Sequence, residues 1–131
     1  MKLTKKQSDE LFNRGFNEVC NKRAETLKTN PYLVKIVLIN RFAGKKSDFF
    51  EQLNESFNVT KEDCDQVHQI EMGKIQKFFE QGANKYAEKF GVTKEIFINK
   101  CFELFGELDD NTLMKLSAIV KNVGQHFVKE D

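Results

Sequence analysis

The segment "TNPYLVKIVLINRF", residues 29–42, admits two readings, and the fold class turns on the choice. Val34, Ile36, Val37 and Ile39 are β-branched and suit a pleated strand. The Asn-Pro pair argues the other way. Pro31 disfavours helical backbone at Asn30, and Asn30 can cap a helix whose first residue is Pro31. No other run in the chain reads as a strand, and a strand without a neighbour leaves its backbone groups unpaired. A helix over 31–42 is therefore predicted. Being apolar nearly all round, it is expected to be the central and most buried helix.

The flanking sequence agrees. Phe12, Phe16, Val19, Cys20, Ala24 and Leu27 recur at the helical period through residues 5–28. After the turn "AGKKSD", 43–48, Ser47 is placed to cap a short helix carrying Phe49, Phe50, Leu53 and Phe57. Beyond Thr60 the apolar pattern can run unbroken to Phe90, a rod of about 46 Å at 1.5 Å per residue. A compact domain of this length is only about 36 Å across. A break is therefore expected at "QGAN", 81–84, with Gly82 as the helix stop. Helices are then predicted at 60–81, 83–90, 94–106 and 111–128. The last carries Leu113, Leu116, Ile119, Val120, Val123 and Phe127 on one side. The prediction is all-α: residues 1–131 as a single compact domain, an irregular helical bundle of five to seven helices.

Composition bounds the class further. The 131 residues are 40% hydrophobic, with 13 Phe, and 31% charged, which is a globular mix. The longest apolar run, "YLVKIVLI" at 32–39, is interrupted by Lys35 and falls far below the roughly 18 residues of a membrane span. "MKLTKKQSDE" has no apolar run behind its lysines, so no secretory signal and no membrane partner are expected. Cys20, Cys64 and Cys101 are widely spaced and odd in number, and they read as reduced core thiols of a cytoplasmic protein. The net charge of +1 is unevenly spread. Residues 1–46 hold eleven Lys/Arg against four Asp/Glu, whereas residues 47–71 hold Lys61 against seven carboxylates. The basic third is expected to fold against the acidic segment and partly cancel it.

A hexapeptide recurs: "FNVTKE" at 57–62 and "FGVTKE" at 90–95. Capping chemistry accounts for it. Thr60 and Thr93 can cap the helices that follow, and Asn58 or Gly91 can take the left-handed conformation that ends the helix before. Neither copy is expected to complete a capping box, because the third helical residue is Asp63 or Ile96, not Glu or Gln. Similarity stops after six residues, so the repeat is a stop–start junction used twice.

The second copy sits in "YAEKFGVTKEIFINK", 86–100, which resembles the helix-turn-helix DNA-binding motif. Ala87 matches its small residue and Gly91 its turn glycine four later. Tyr86, Phe90 and Val92 match its flanking apolar positions, and Phe97 the one inside the recognition helix. The resemblance implies a DNA-binding regulatory protein with contacts at Thr93, Lys94, Glu95, Ile98 and Asn99. Arg14, Lys22, Arg23, Arg41, Lys45 and Lys46 would then meet phosphates.

Catalytic parts are sparse. Cys64, His68 and Glu71 share a helix face, but nothing nearby supplies the remaining ligands zinc demands, so no metal is assigned. With two His, no Ser-centred elbow and no phosphate-cradling glycine loop, no catalytic residue, cofactor or enzymatic activity is assigned. "LDD" at 108–110 reads as a helix cap.

The phenylalanines point elsewhere. Neighbours on a helix lie about 100° apart, so Phe49–Phe50 and Phe78–Phe79 cannot both enter one narrow seam. The 94–106 segment carries Ile96, Phe97, Ile98, Cys101, Phe102, Leu104 and Phe105, apolar on almost every side, and a helix in a DNA groove needs a polar face. The leading expectation is a small non-enzymatic binding protein: a regulator, inhibitor or adaptor contacting another protein or a second copy of itself. Its aromatic-rich face would comprise Phe49, Phe50, Phe78, Phe79, Ile98 and Phe102. DNA binding is the alternative. Exposure of Ile98 and Phe102 separates the two, since burial weakens DNA reading and a flat exposed patch marks an interface.

Overall fold

The computed structural model describes residues 2–43 and 49–128, without the side chains of Phe49 and Val128. They form six α-helices and one 3-10 turn, with no strand among the described residues. The helices are α1 (Lys5–Leu27), α2 (Pro31–Arg41), α3 (Phe49–Ser56), α4 (Lys61–Tyr86), α5 (Lys94–Phe105) and α6 (Thr112–Val128), with the 3-10 turn Glu88–Phe90 between α4 and α5. The chain is all-α. It falls into two compact units, Met1–Gln69 and Ile70–Asp131, whose boundary lies inside α4.

In the first unit α1, α2 and α3 pack on one another. Thr4 opens α1 with a complete capping box, exchanging bonds with Gln7 (3.0 and 3.1 Å). The chain leaves α1 through Lys28 in the left-handed conformation. Asn30 Oδ1 then accepts the Tyr32 amide at 2.8 Å with Pro31 behind it, so the Asn-Pro start settles the ambiguous segment as α2. Leu33, Val34, Val37 and Leu38 of α2 are buried against Phe16, Cys20 and Ala24 of α1's inner stripe. The predicted cap at Ser47 lies outside the described residues.

Thr60 caps α4 as predicted, accepting the Asp63 amide at 3.1 Å. The box closes as well, against expectation: the Thr60 amide donates to Asp63 Oδ2 at 2.9 Å, so the shorter aspartate reaches where glutamate is usual. Asn58 does not take the left-handed conformation; among the described residues Lys28 is the non-glycine residue that does.

The expected break at Gly82 is absent. α4 continues to Tyr86, because Gly82 serves packing: a Cβ there would stand 3.0 and 3.2 Å from the two methyls of Val120. The chain stops instead at the 3-10 turn, where Gly91 (φ +69°) takes the left-handed region and the Val92 amide reaches back to the Ala87 carbonyl at 3.2 Å. In the second unit α5 packs on α6, and α6 on the 3-10 turn. Phe79 is 0% exposed, with Phe102 edge-on at 5.0 Å and Phe105 at 6.3 Å. Asp109 organises the start of α6 as the "LDD" reading expects, through its amide to Thr112 Oγ1 (2.9 Å), its carboxylate to the Asn111 amide (2.9 Å) and an ion pair with Lys115.

Candidate binding surfaces

In the first unit, charge cancellation concentrates on one residue. Arg41 at the end of α2 contacts Glu55 of α3 at 3.0 Å and Asp63 of α4 at 2.7 Å, joining the basic third to the acidic segment as expected. Asp63 is held below the usual carboxylate range, first by the Thr60 amide and then by the Thr60 hydroxyl and Arg41. Arg23 donates Nε and Nη2 to the Val59 carbonyl at 3.0 and 2.8 Å. Two of the six basic residues expected to meet phosphate therefore hold the fold together. Arg14 and Lys22 are exposed, while Lys45 and Lys46 lie outside the described residues.

α3 carries the aromatic surface of this unit. Phe50 is 71% and Phe57 66% exposed, although the apolar stripe Phe50, Leu53, Phe57 would conventionally face inward. Beside them, Val19 and the stems of Lys22 and Arg23 from α1 join Leu53, Ser56 and Phe57 around a slot of about 120 Å³, the size of one apolar side chain. The sequence placed Phe50, Leu53 and Phe57 on one short helix and named Phe50 as a partner residue, but did not name Phe57.

In the second unit the expected face divides. Phe79 is core, which corrects its placement on a partner surface, whereas Phe78 is half-buried. Their 100° separation is the reason: one ring enters the core and its neighbour points along the surface. Ile98 and Phe102 are half-buried too, so they form neither a flat exposed patch nor a sealed core. The exposed residues of α5 are Lys94, Glu95, Ile96, Asn99 and Glu103. Thr93 is also exposed and caps α5 by accepting the Ile96 amide at 3.2 Å. Leu113, expected inside the α6 stripe, is 82% exposed, and Met114 beside it 78%.

A groove of about 240 Å³ lies between α4 and α6 of this unit, lined by Phe78, Gln81, Gly82, Lys85 and Tyr86 on one side. Ser117, Val120 and Lys121 line the other. Lys85 and Lys89 place their ammonium groups 5.3 and 5.7 Å from the Tyr86 ring centroid. Nothing in the sequence patterns brought Lys85 and Lys121 together, because the groove joins residues more than thirty positions apart.

The three cysteines are buried free thiols. Desolvation raises the Cys64 thiol, helped by the nearby Asp63 and Asp65 carboxylates, and pushes Cys101 up to about 11. Cys64 faces the core while His68 is exposed, and among the described residues no three His, Cys, Asp or Glu side chains could hold a metal ion together. No described helix is long and apolar enough to cross a membrane. No protein-family profile matches the chain, and neither a curated protein nor a solved structure matches it.

Proposed function

We propose that this is a non-enzymatic binding protein that acts by protein–protein contact through an aromatic-rich helical face, as a regulator, inhibitor or adaptor. The observation that carries this reading is at α3 and its end, where Phe50 and Phe57 stand exposed beside the slot lined by Val19 and Leu53. Exposed aromatic rings around a side-chain-sized recess are the anatomy of a contact centre, where a few large residues supply most of the binding energy. The occupant is another protein or a second copy of the chain.

The test compares the wild type with Phe50→Ser/Phe57→Ser, by light scattering and by quantitative capture of bound protein. Loss of a dimer or of a specific partner in the variant, with thermal stability unchanged, is the expected result. A wild-type monomer that enriches nothing over the variant would sink the reading.

DNA binding through residues 86–100 is the second reading, favoured by the left-handed Gly91, the buried Ala87 and the Thr93 cap. Against it, the exposed side of α5 sets Glu95 and Glu103 beside Asn99 and Lys94, a poor electrostatic match for phosphate. It requires a labelled duplex to bind with steep salt dependence and Lys94→Ala to weaken that binding.

A further inference from the structure

The groove between α4 and α6 differs from the α3 surface in its charge. α6 contains no Asp or Glu from Thr112 to Val128, so one whole wall lacks negative charge. On the α4 wall from Phe78 to Tyr86 the single carboxylate, Glu80, lies outside the groove lining and accepts a bond from Gln76 at 3.1 Å. Lys85 on the α4 wall and Lys121 on the α6 wall both line the groove, and neither has a carboxylate partner among the described residues. Two ammonium groups on one recess, unneutralised by the protein, leave a site that an anion would complete.

The rest of the recess is apolar. Gly82 lets α4 approach Val120 closely enough to form the floor, and Phe78 and Tyr86 supply ring surface. Leu113, Ser117 and Val120 follow one another at helical spacing, so the exposed Leu113 stands on the stripe that runs into the groove. From Leu113 to Lys121 the stripe runs about 12 Å, the length of roughly two helical turns. Apolar at one end and cationic at the other, it fits a short amphipathic polypeptide better than a compact ion.

We propose that the α4–α6 groove, floored by Gly82 and Val120 and flanked by Lys85 and Lys121, binds an acidic peptide segment of a partner protein that carries a bulky apolar side chain. The apolar side chain packs on Phe78 and Val120, and the carboxylates meet the two lysines. This site lies in the second unit and does not depend on the α3 surface of the first.

The experiment uses the full chain and a fluorescein-labelled helical peptide about three turns long, with Leu at i, i+3 and i+4 and Glu elsewhere. Three comparators accompany it: the same peptide with Lys in place of Glu, the same peptide with Ala in place of Leu, and a labelled oligothymidylate. The Leu/Glu peptide is expected to bind in the micromolar range, more weakly as salt is raised. Lys85→Ala/Lys121→Ala should weaken it by about tenfold or more, in line with loss of two charge contacts. Lys85→Glu/Lys121→Glu should reverse the preference toward the Lys peptide, and Phe50→Ser/Phe57→Ser should leave binding unchanged. Failure of the Leu/Glu peptide to bind below millimolar concentration would overturn the proposal. So would equal binding by any comparator, or indifference to both lysine variants. Sensitivity to Phe50→Ser/Phe57→Ser would move the site to α3 and leave the protein-contact reading standing.

Discussion

Val59 is fully buried, and its carbonyl oxygen receives two N–H groups from Arg23, thirty-six positions earlier in the chain. A buried carbonyl in the connection between α3 and α4 has no helical partner, so the guanidinium satisfies it. Leaving such an acceptor bare costs about 1–3 kcal/mol. Arg23→Met keeps the aliphatic stem that lines the α3 slot and removes the donors. Urea unfolding is expected to show a loss of about 1–3 kcal/mol, with Arg23→Lys recovering part of it through its one reachable ammonium. If Arg23→Met unfolds like the wild type, the guanidinium does not hold the α3–α4 link. From sequence, Arg23 was one member of a basic cluster. Its acceptor lies on a distant segment, so no local pattern could announce it.

Glycines separate helix chemistry from packing at the scale of an element. Gly73 lies in the middle of α4, exposed, and a Cβ there would meet nothing within 4 Å. Gly124 lies in α6, buried, and a Cβ there would fall 2.7 and 2.9 Å from Phe90 Cε1 and Cε2 and closer still to Cζ. Gly73→Ala is expected to raise stability by about 0.5–1 kcal/mol, since alanine restrains the unfolded chain and favours helix. Gly124→Ala is expected to lower it by about 1–3 kcal/mol through overpacking, with Phe90→Leu/Gly124→Ala recovering part of the loss. Chemical denaturation of the variants checks both signs, and equal effects at the two positions would refute this account. Gly82 belongs with Gly124. Reading it as a stop failed because a helical glycine looks the same in sequence whether it ends a helix or admits a neighbour.

Across the whole molecule, the buried thiols report on integrity. Cys20 and Cys64 lie in the first unit and Cys101 in the second, all sealed from solvent. Cys101 stays protonated in the folded chain up to about pH 11, whereas its ordinary value is 9.0. Below pH 9 the thiol is neutral folded and unfolded, so its contribution to stability is intact. Above that, ionisation favours the unfolded chain, and stability is lost as pH climbs toward 11. Thermal melts from pH 8 to 11 should show this decline, and Cys101→Ala should flatten it. An identical pH dependence in that variant would show that Cys101 is not responsible. A thiol reagent at neutral pH should likewise react only as fast as the structure opens.

Information carried within a few residues of chain survived translation into structure, and information carried across it did not. The all-α class, the Asn30–Pro31 start, the Thr60 and Thr93 caps and the left-handed Gly91 could be read directly, because capping and backbone preference act over three or four positions. Phe79 against Phe78, Leu113 outside its own stripe, Gly82 against Val120, and the placing of Lys85 and Lys121 on one groove required the packed chain. Which side of a helix is covered depends on the neighbour that arrives there. The residues that make a binding surface are those that no neighbour covers.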